Sequence, residues 1–324
     1  MKKNIRIAIT MGDPAGIGSE IIIKSLARHN DWRVSFLVIG DSFVLNKTAK
    51  RLGLINVLNK LCSDGKKVIV VDLKNVDEKK FRFGTTDIPC GKASIEYIAK
   101  AVSLIKLGKA DALVTAPISK ESVNAAGFNW PGHTEFLAHL AKTEKYCMML
   151  VAGALKVILA TRHIAIKDVN RRLNTEEIYY SIVLANNALK NYFGIKNPKI
   201  AVCALNPHAG EGGLFSDEEK RIIIPAVKKA QSMSIKVFGP LPADSLFYDA
   251  YKGKFDAEVA MYHDQGLVPL KMIGKDIGVN VTLGLPFVRT SPAHGTAFDI
   301  AGKNMANPSS MTEAINLAIK MTRG

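Results

Sequence analysis

The chain has 324 residues, of which 48% are hydrophobic and 23% charged, and a formal net charge of +15. That length is more than one hydrophobic core usually serves, so two domains are expected, and the composition excludes a disordered or fibrous chain. The positive charge favours small anions, but the basic pairs Lys66-Lys67, Lys79-Lys80, Arg171-Arg172 and Lys228-Lys229 are scattered. They carry no aromatic-interleaved or helix-turn-helix pattern, which argues for solvated faces and against a nucleic-acid partner.

In chain order, apolar β-rich runs alternate with amphipathic helical patterns, the rhythm of an α/β protein with largely parallel sheets. Residues 5–11 read as the first strand, followed by a glycine-rich turn and a helix over 17–28. Short buried strands are expected at 36–39, 68–71 and 112–115, with a helical apolar face over 93–107. Strands at 156–161 and 199–205 flank a long helix at 175–192. A helix over 217–231, capped by Ser216, contains Pro225 and should kink there or split. Strands at 258–262 and 279–283 and a closing helix at 310–320 complete the pattern.

No apolar run approaches the ~20 residues of a membrane span. The best, residues 147–160, is broken by Lys156. The basic start Met1-Lys2-Lys3-Asn4 imitates an export signal, but Gly12-Asp13-Pro14 stops the apolar run at once, so a strand is the better reading. Cys62, Cys90, Cys147 and Cys203 are widely spaced without a C-x-x-C pair, which suits a reduced, cytoplasmic chain. No linker is evident, so two domains would have to interweave: residues 1–130 plus 284–324 as a cofactor-side domain, and 131–283 as a metal- and dimer-forming one.

The turn Thr10-Met11-Gly12-Asp13-Pro14-Ala15-Gly16-Ile17-Gly18 joins a strand to a helix. It reads first as a tight structural turn and second as a ligand loop, because it matches neither the dinucleotide fingerprint nor a P-loop. His163, His208 and His263 each follow an expected strand, and ligands gather beyond the carboxyl ends of parallel strands. Any one of them would by default be an ordinary loop histidine. Three meeting at a point would hold Zn²⁺ or a similar ion with one position open. His133 lies in a Pro-Gly loop, while His29 and His139 fall within helical patterns. Arg289 follows an apolar run and suits bidentate capture of a carboxylate or phosphate; Lys271 and Asn280 share that segment. Asp244 reads as an N-cap or as a metal-side carboxylate.

Taken together, Gly12-Asp13-Pro14-Ala15-Gly16-Ile17-Gly18, Thr115-Ala116-Pro117-Ile118-Ser119-Lys120, Gly132-His133-Thr134-Glu135-Phe136, Asn206-Pro207-His208-Ala209-Gly210-Glu211, Tyr262-His263-Asp264-Gln265-Gly266 and residues 278–302 resemble the 4-hydroxythreonine-4-phosphate dehydrogenase family of pyridoxal-phosphate biosynthesis. The last stretch is also similar to the isocitrate/isopropylmalate dehydrogenase superfamily. The resemblance implies two interwoven α/β/α domains with mostly parallel sheets, and a homodimer that shares its active site. It makes His163, His208 and His263 ligands of a divalent metal (Zn, Co or Mg) and His133, Thr134, Lys271, Asn280 and Arg289 substrate contacts. His294, Gly295, Thr296, Ala297, Asp299 and Asn307 become contacts of NAD, with Asp299 on the ribose hydroxyls, and Asp244 the candidate for proton transfer. The implied reaction is oxidation with decarboxylation of 4-phosphooxy-L-threonine, or of 4-phospho-D-threonate or 4-phospho-D-erythronate. Ser19 departs from the proline of many relatives, with little consequence expected.

Overall fold

The structure, a computed structural model, describes residues 4–63 and 67–323. Met1, Lys2, Lys3 and Lys66, which entered the reading of the N-terminus and of the basic pairs, lie outside the described residues. The chain forms two compact units, Met1–Glu144 with Leu285–Arg323, and Lys145–Gly284.

The first unit begins β1 (Ile5–Thr10), α1 (Gly18–Leu26), β2 (Val34–Gly40), α2 (Ser42–Arg51), α3 (Ile55–Ser63) and β3 (Val68–Asp72). It continues through α4 (Ile88–Lys106), β4 (Ala112–Thr115), α5 (Lys120–Ala125) and α6 (His133–Ala141). Helix α4 starts five residues before the expected face because Asp87 caps it, accepting from the Cys90 N–H at 3.2 Å, and Pro89 sits in its first turn. Helix α6 belongs here, beyond the boundary expected at residue 130. It packs on α4, where Lys106 Nζ donates to the Leu140 carbonyl at 2.8 Å.

The second unit opens with β5 (Cys147–Ala152) and β6 (Leu155–Leu159). These are the halves of the long apolar run, folded into an antiparallel hairpin with Gly153 at φ 56° in a two-residue turn. Then come α7 (Val169–Arg172), α8 (Thr175–Asn191), β7 (Ile200–Cys203), α9 (Ile224–Ser232), β8 (Val237–Leu241), α10 (Ala243–Tyr251), β9 (Ala257–Ala260), α11 (His263–Gly274) and β10 (Val279–Leu283). The helix expected over 217–231 is a π-helical turn, Glu219–Ile223, running into α9, with Pro225 in the first turn where its missing N–H costs nothing. Helix α11 escapes the sequence pattern because Pro269 lies inside it. The chain then returns to the first unit with β11 (Val288–Pro292) and α12 (Ser309–Arg323).

Within the first unit the strand order is β3-β2-β1-β4-β11, all parallel. Within the second it is β10-β5-β6-β9-β7-β8, with β6, β9, β7 and β8 parallel and β5 antiparallel to both neighbours. The α/β architecture with mostly parallel sheets is as the sequence implies. Strands β4, β7 and β9 are buried throughout, as parallel strands covered on both faces must be. Cys90, Cys147 and Cys203 are buried, Cys62 is half-buried, and burial pushes each thiol up. Among the described residues no helix is long and apolar enough to cross a membrane.

Glu258 lies on β9 with 0% exposure, accepting the Lys156 N–H at 3.2 Å. Burial raises its pKa from 4.5 to about 8. Between those values the native state keeps a proton that the unfolded chain releases, so this carboxyl lowers stability progressively as pH rises across that window. Glu258→Gln is therefore expected to match the parent near pH 5 and to melt several degrees above it near pH 9. Thermal denaturation across that range checks this, and parallel Tm curves would contradict it.

Candidate active site

Adjacent parallel strands β6, β9 and β7 carry His163, His263 and His208 just beyond their carboxyl ends. The strand ends are tied together. Thr161 Oγ1 donates to the Met261 carbonyl at 2.6 Å, and Gln265 spans from the Met261 N–H (2.7 Å) to the Ala204 carbonyl (2.6 Å). His163 and His263 stand with ring centroids 5.6 Å apart and line a cavity of about 280 Å³ with Arg162, Tyr262 and Asp264. Asp264 Oδ1 is 2.6 Å from His263 Nδ1, which leaves Nε2 as the nitrogen available to a ligand.

His208 does not complete the expected trio. Residues 208–212 run through left-handed backbone, with φ of 52°, 55°, 78°, 44° and 67°, and the His208 ring lies by Phe215 at 6.4 Å. Three of those residues are not glycine, which marks stored strain. The loop is held from below, since Glu219 Oε1 accepts the Leu205 and Asn206 N–H groups at 2.9 and 2.8 Å. Among the described residues, no three histidine, cysteine or acidic side chains are grouped to hold a metal ion. Asp244 is neither N-cap nor part of such a group. Pro242 takes the cap position and Asp244 is an exposed acid in the first turn of α10, where it complements the helix dipole.

Of the expected substrate contacts in this unit, Lys271 is exposed in the last turn of α11. Asn280 is half-buried on β10, with its Oδ1 shut from solvent and without a partner among the described residues.

In the first unit, Arg289 on β11 is 1% exposed and donates through Nη2 to Thr115 Oγ1 at 2.6 Å. Burial draws the guanidinium down to about 9, with Glu135 acting the other way, so it remains a cation at neutral pH. His133 begins α6, and its ring is bonded to the Ala116 backbone. Burial, then the charge of Arg289, pushes its pKa well down and keeps the imidazole neutral. Its Nε2 is buried without a partner among the described residues, a lone pair available to a donor. Helix α6 has no side-chain cap, and Thr134, 5% exposed, lies in its first turn. A buried guanidinium and an uncapped helix N-terminus in one unit are the elements of an anion site. Thr115 was quoted in the sequence only as part of a motif; its role as partner to Arg289 depends on β4 and β11 being neighbours.

The glycine-rich turn after β1 proves structural. Asp13 N–H donates to Pro117 O, Ala15 N–H to Asp13 Oδ1, Gly16 N–H to Asp13 O and Ile17 N–H to Thr296 O, all between 2.9 and 3.0 Å. Those donors are spent on the protein itself. A Cβ at Gly12, where φ is +73°, would come within 2.2 Å of Pro117 O, and one at Gly16 within 3.1 Å of Thr296. The carboxyl of Asp13, 0% exposed, is raised by burial to about 6. Ser19 also does more than replace a proline, because its hydroxyl pairs with Thr48 Oγ1 at 2.8 Å and joins α1 to α2.

The segment 294–307 is an irregular loop between β11 and α12. His294, Gly295 and Asp299 are exposed, Thr296 and Ala297 half-buried, and Ala297 has φ 43°. Asn307 is exposed, and its Oδ1 accepts from the Ser309 N–H and hydroxyl at 3.0 and 2.7 Å, which commits the oxygen to starting α12 and leaves the NH₂ for a ligand.

The sequence profile described as pyridoxal phosphate biosynthetic protein PdxA matches residues 33–318. A 4-hydroxythreonine-4-phosphate dehydrogenase from Geobacter metallireducens is 46% identical over 325 residues, covering 98% of this chain and 96% of the relative. A D-threonate 4-phosphate dehydrogenase from Cupriavidus necator is 45% identical over 318 residues, 95% of each. Among solved structures, a 4-hydroxythreonine-4-phosphate dehydrogenase from Klebsiella pneumoniae matches with TM-score 0.88 and 40% identity over all of both chains.

The buried cation can be tested without naming a substrate. Inorganic phosphate should raise the Tm of the parent, and Arg289→Lys, which loses the planar fork, should need about 10–100-fold more phosphate for the same shift. An unchanged phosphate dependence would remove Arg289 from the anion site.

Proposed function

The chain belongs to the PdxA family, and on that premise we propose that it is an NAD- and divalent-metal-dependent dehydrogenase that converts 4-phosphooxy-L-threonine to 3-amino-2-oxopropyl phosphate and carbon dioxide in pyridoxal 5′-phosphate biosynthesis. The observation that carries this reading is Arg289, a cation held at 1% exposure beside the neutral His133 and the open end of α6. Such a position suits a doubly charged phosphate or a carboxylate.

In this reading Arg289, Thr134 and the first-turn N–H groups of α6 hold the anionic end of the substrate. His133 accepts a hydrogen bond through Nε2, and Lys271 and Asn280, in the second unit, are proposed separately as substrate contacts, one a cation and the other an acceptor. Held in this way, the substrate presents its C3–H and C3–OH in one orientation, so binding energy becomes alignment. His163 and His263 would hold the metal, with His208 as the third ligand; two adjacent imidazoles, one of them fixed by Asp264, fit a borderline ion such as zinc or cobalt better than magnesium. A divalent ion there supplies Lewis acidity at the C3 oxygen, and NAD supplies the hydride acceptor. The chain's contribution to NAD is the segment 294–307, with the Asp299 carboxylate for the adenosine ribose hydroxyls, a group that would repel a 2′-phosphate. Asp244 is offered for proton transfer.

A second substrate class is supported by specific relatives. Proteins named for D-threonate 4-phosphate and for 4-hydroxythreonine-4-phosphate are equally similar to this chain, at 45% and 46% identity. Oxidation of 4-phospho-D-threonate or 4-phospho-D-erythronate by the same groups is therefore the alternative. The homodimer is proposed from α11 and the residues after it, where Val268, Met272, Ile273 and Ile277 are 56%, 82%, 39% and 40% exposed, an apolar surface suited to a second copy.

NADH formation from each of the three substrates decides between the readings, and no NADH from any of them would defeat both. Chelation should abolish turnover, zinc or cobalt should restore it, and His163→Ala or His263→Ala should prevent restoration. Full activity in His208→Ala would release that residue from the metal. Met272→Glu should shift the protein from dimer to monomer in sedimentation and lower turnover at least tenfold; a dimer that persists would place the interface elsewhere.

A further inference from the structure

Helix α1 carries an ion pair that no step above uses, and it grips the loop assigned to NAD. Glu20 is 1% exposed, and its Oε1 accepts from Lys24 Nζ at 2.8 Å and from the Ala306 backbone N–H at 2.9 Å. Lys24 Nζ in turn donates to the carbonyls of Ala306 at 2.9 Å and Asn304 at 3.4 Å. The N–H and C=O of one residue, Ala306, are thus both taken by one ion pair, and the next residue is Asn307. The other end of the loop is fastened to the same stretch of chain, through the Ile17 N–H to Thr296 O at 3.0 Å and the close approach of Gly16. Between those two fastenings lies no helix or strand; the loop's own backbone makes turn bonds from the Ile300 N–H to Ala297 O, the Ala301 N–H to Phe298 O and the Lys303 N–H to Ile300 O, all before Ala306.

We propose that Glu20 and Lys24 are positioning residues for the dinucleotide: they hold the Ala306 peptide, and through it Asn307, in the arrangement that receives the adenosine part of NAD. Neither residue touches a reacting atom. Their effect is on affinity, because a loop ordered in advance loses less freedom on binding than one ordered by the ligand. The charges matter as a unit, with Glu20 reading the N–H and Lys24 the carbonyl. This inference rests on the assignment of residues 294–307 to NAD.

The test is calorimetric titration of the metal-loaded protein with NAD, alongside steady-state kinetics, for Glu20→Gln, Lys24→Met, the double variant and Asp299→Ala. Each single clamp variant should weaken NAD binding about tenfold. The double variant should be little worse than either single one, because the pair acts together. The maximal rate at saturating NAD and the KM for the phosphorylated substrate should stay within about twofold. A merely structural pair would instead lower Tm, with kcat and both KM values changing together, and that result overturns the proposal. Should Glu20→Gln not fold, Lys24→Met decides, since its side chain lies at the rim with 17% exposure. Unchanged NAD affinity in folded Lys24→Met overturns the clamp alone if Asp299→Ala weakens NAD. If Asp299→Ala also leaves NAD affinity unchanged, the assignment of the loop falls and the clamp with it.

Discussion

A guanidinium buried on the parallel strand β11 is the constraint around which the first unit is arranged. Taking that charge out of water costs several kcal/mol even after relaxation. Arg289 nevertheless sits at 1% exposure, with the Thr115 hydroxyl on Nη2 and the field of Glu135 acting in its favour. The same charge acts on its neighbour: a cation so close adds to burial in keeping His133 unprotonated. A phosphate or carboxylate bound there would add a further favourable charge, so binding and the stability of this unit would be linked.

The second unit solves a different problem, bringing imidazoles together from distant parts of the chain. Adjacent parallel strands do this without special devices, since their carboxyl ends lie side by side. The ties from Thr161 and Gln265 then hold the loop bases of β6, β9 and β7 in register. His163 and His263 meet as a result. His208 is separated by a loop that spends five consecutive residues in the left-handed region, a costly conformation that places its ring by Phe215 instead. Strain of that kind persists only where the surrounding structure holds it, as Glu219 does here from below.

The glycine-rich turn after β1 shows how a motif can matter without touching a ligand. Its N–H groups point inward to Pro117 and Thr296, and its neighbour α1 holds Ala306. It therefore works as a bracket between β1, the loop after β4 and the segment proposed for NAD. Gly12 is required because the Pro117 backbone lies where a Cβ would be, and Gly16 is tight against Thr296.

The alternation of strands and helices was legible in the sequence because parallel strands buried on both faces must be apolar throughout, and that leaves short runs of the kind seen at 112–115. Family membership was legible too, through motifs spread over the whole chain. Elements hidden by local chemistry were not: Pro269 masked α11, and one apolar run concealed the hairpin of β5 and β6. Sequence determined that three histidines follow strands, because each lies a few residues past an apolar run. Which of them meet was decided by the strand order β6-β9-β7 and by the left-handed backbone at residues 208–212, properties of pairing and loop conformation that no local pattern encodes. The same holds for Glu20 and Ala306, hydrogen-bonded across 286 positions of sequence: only the folded chain brings a side chain in its first helix to a peptide near its end.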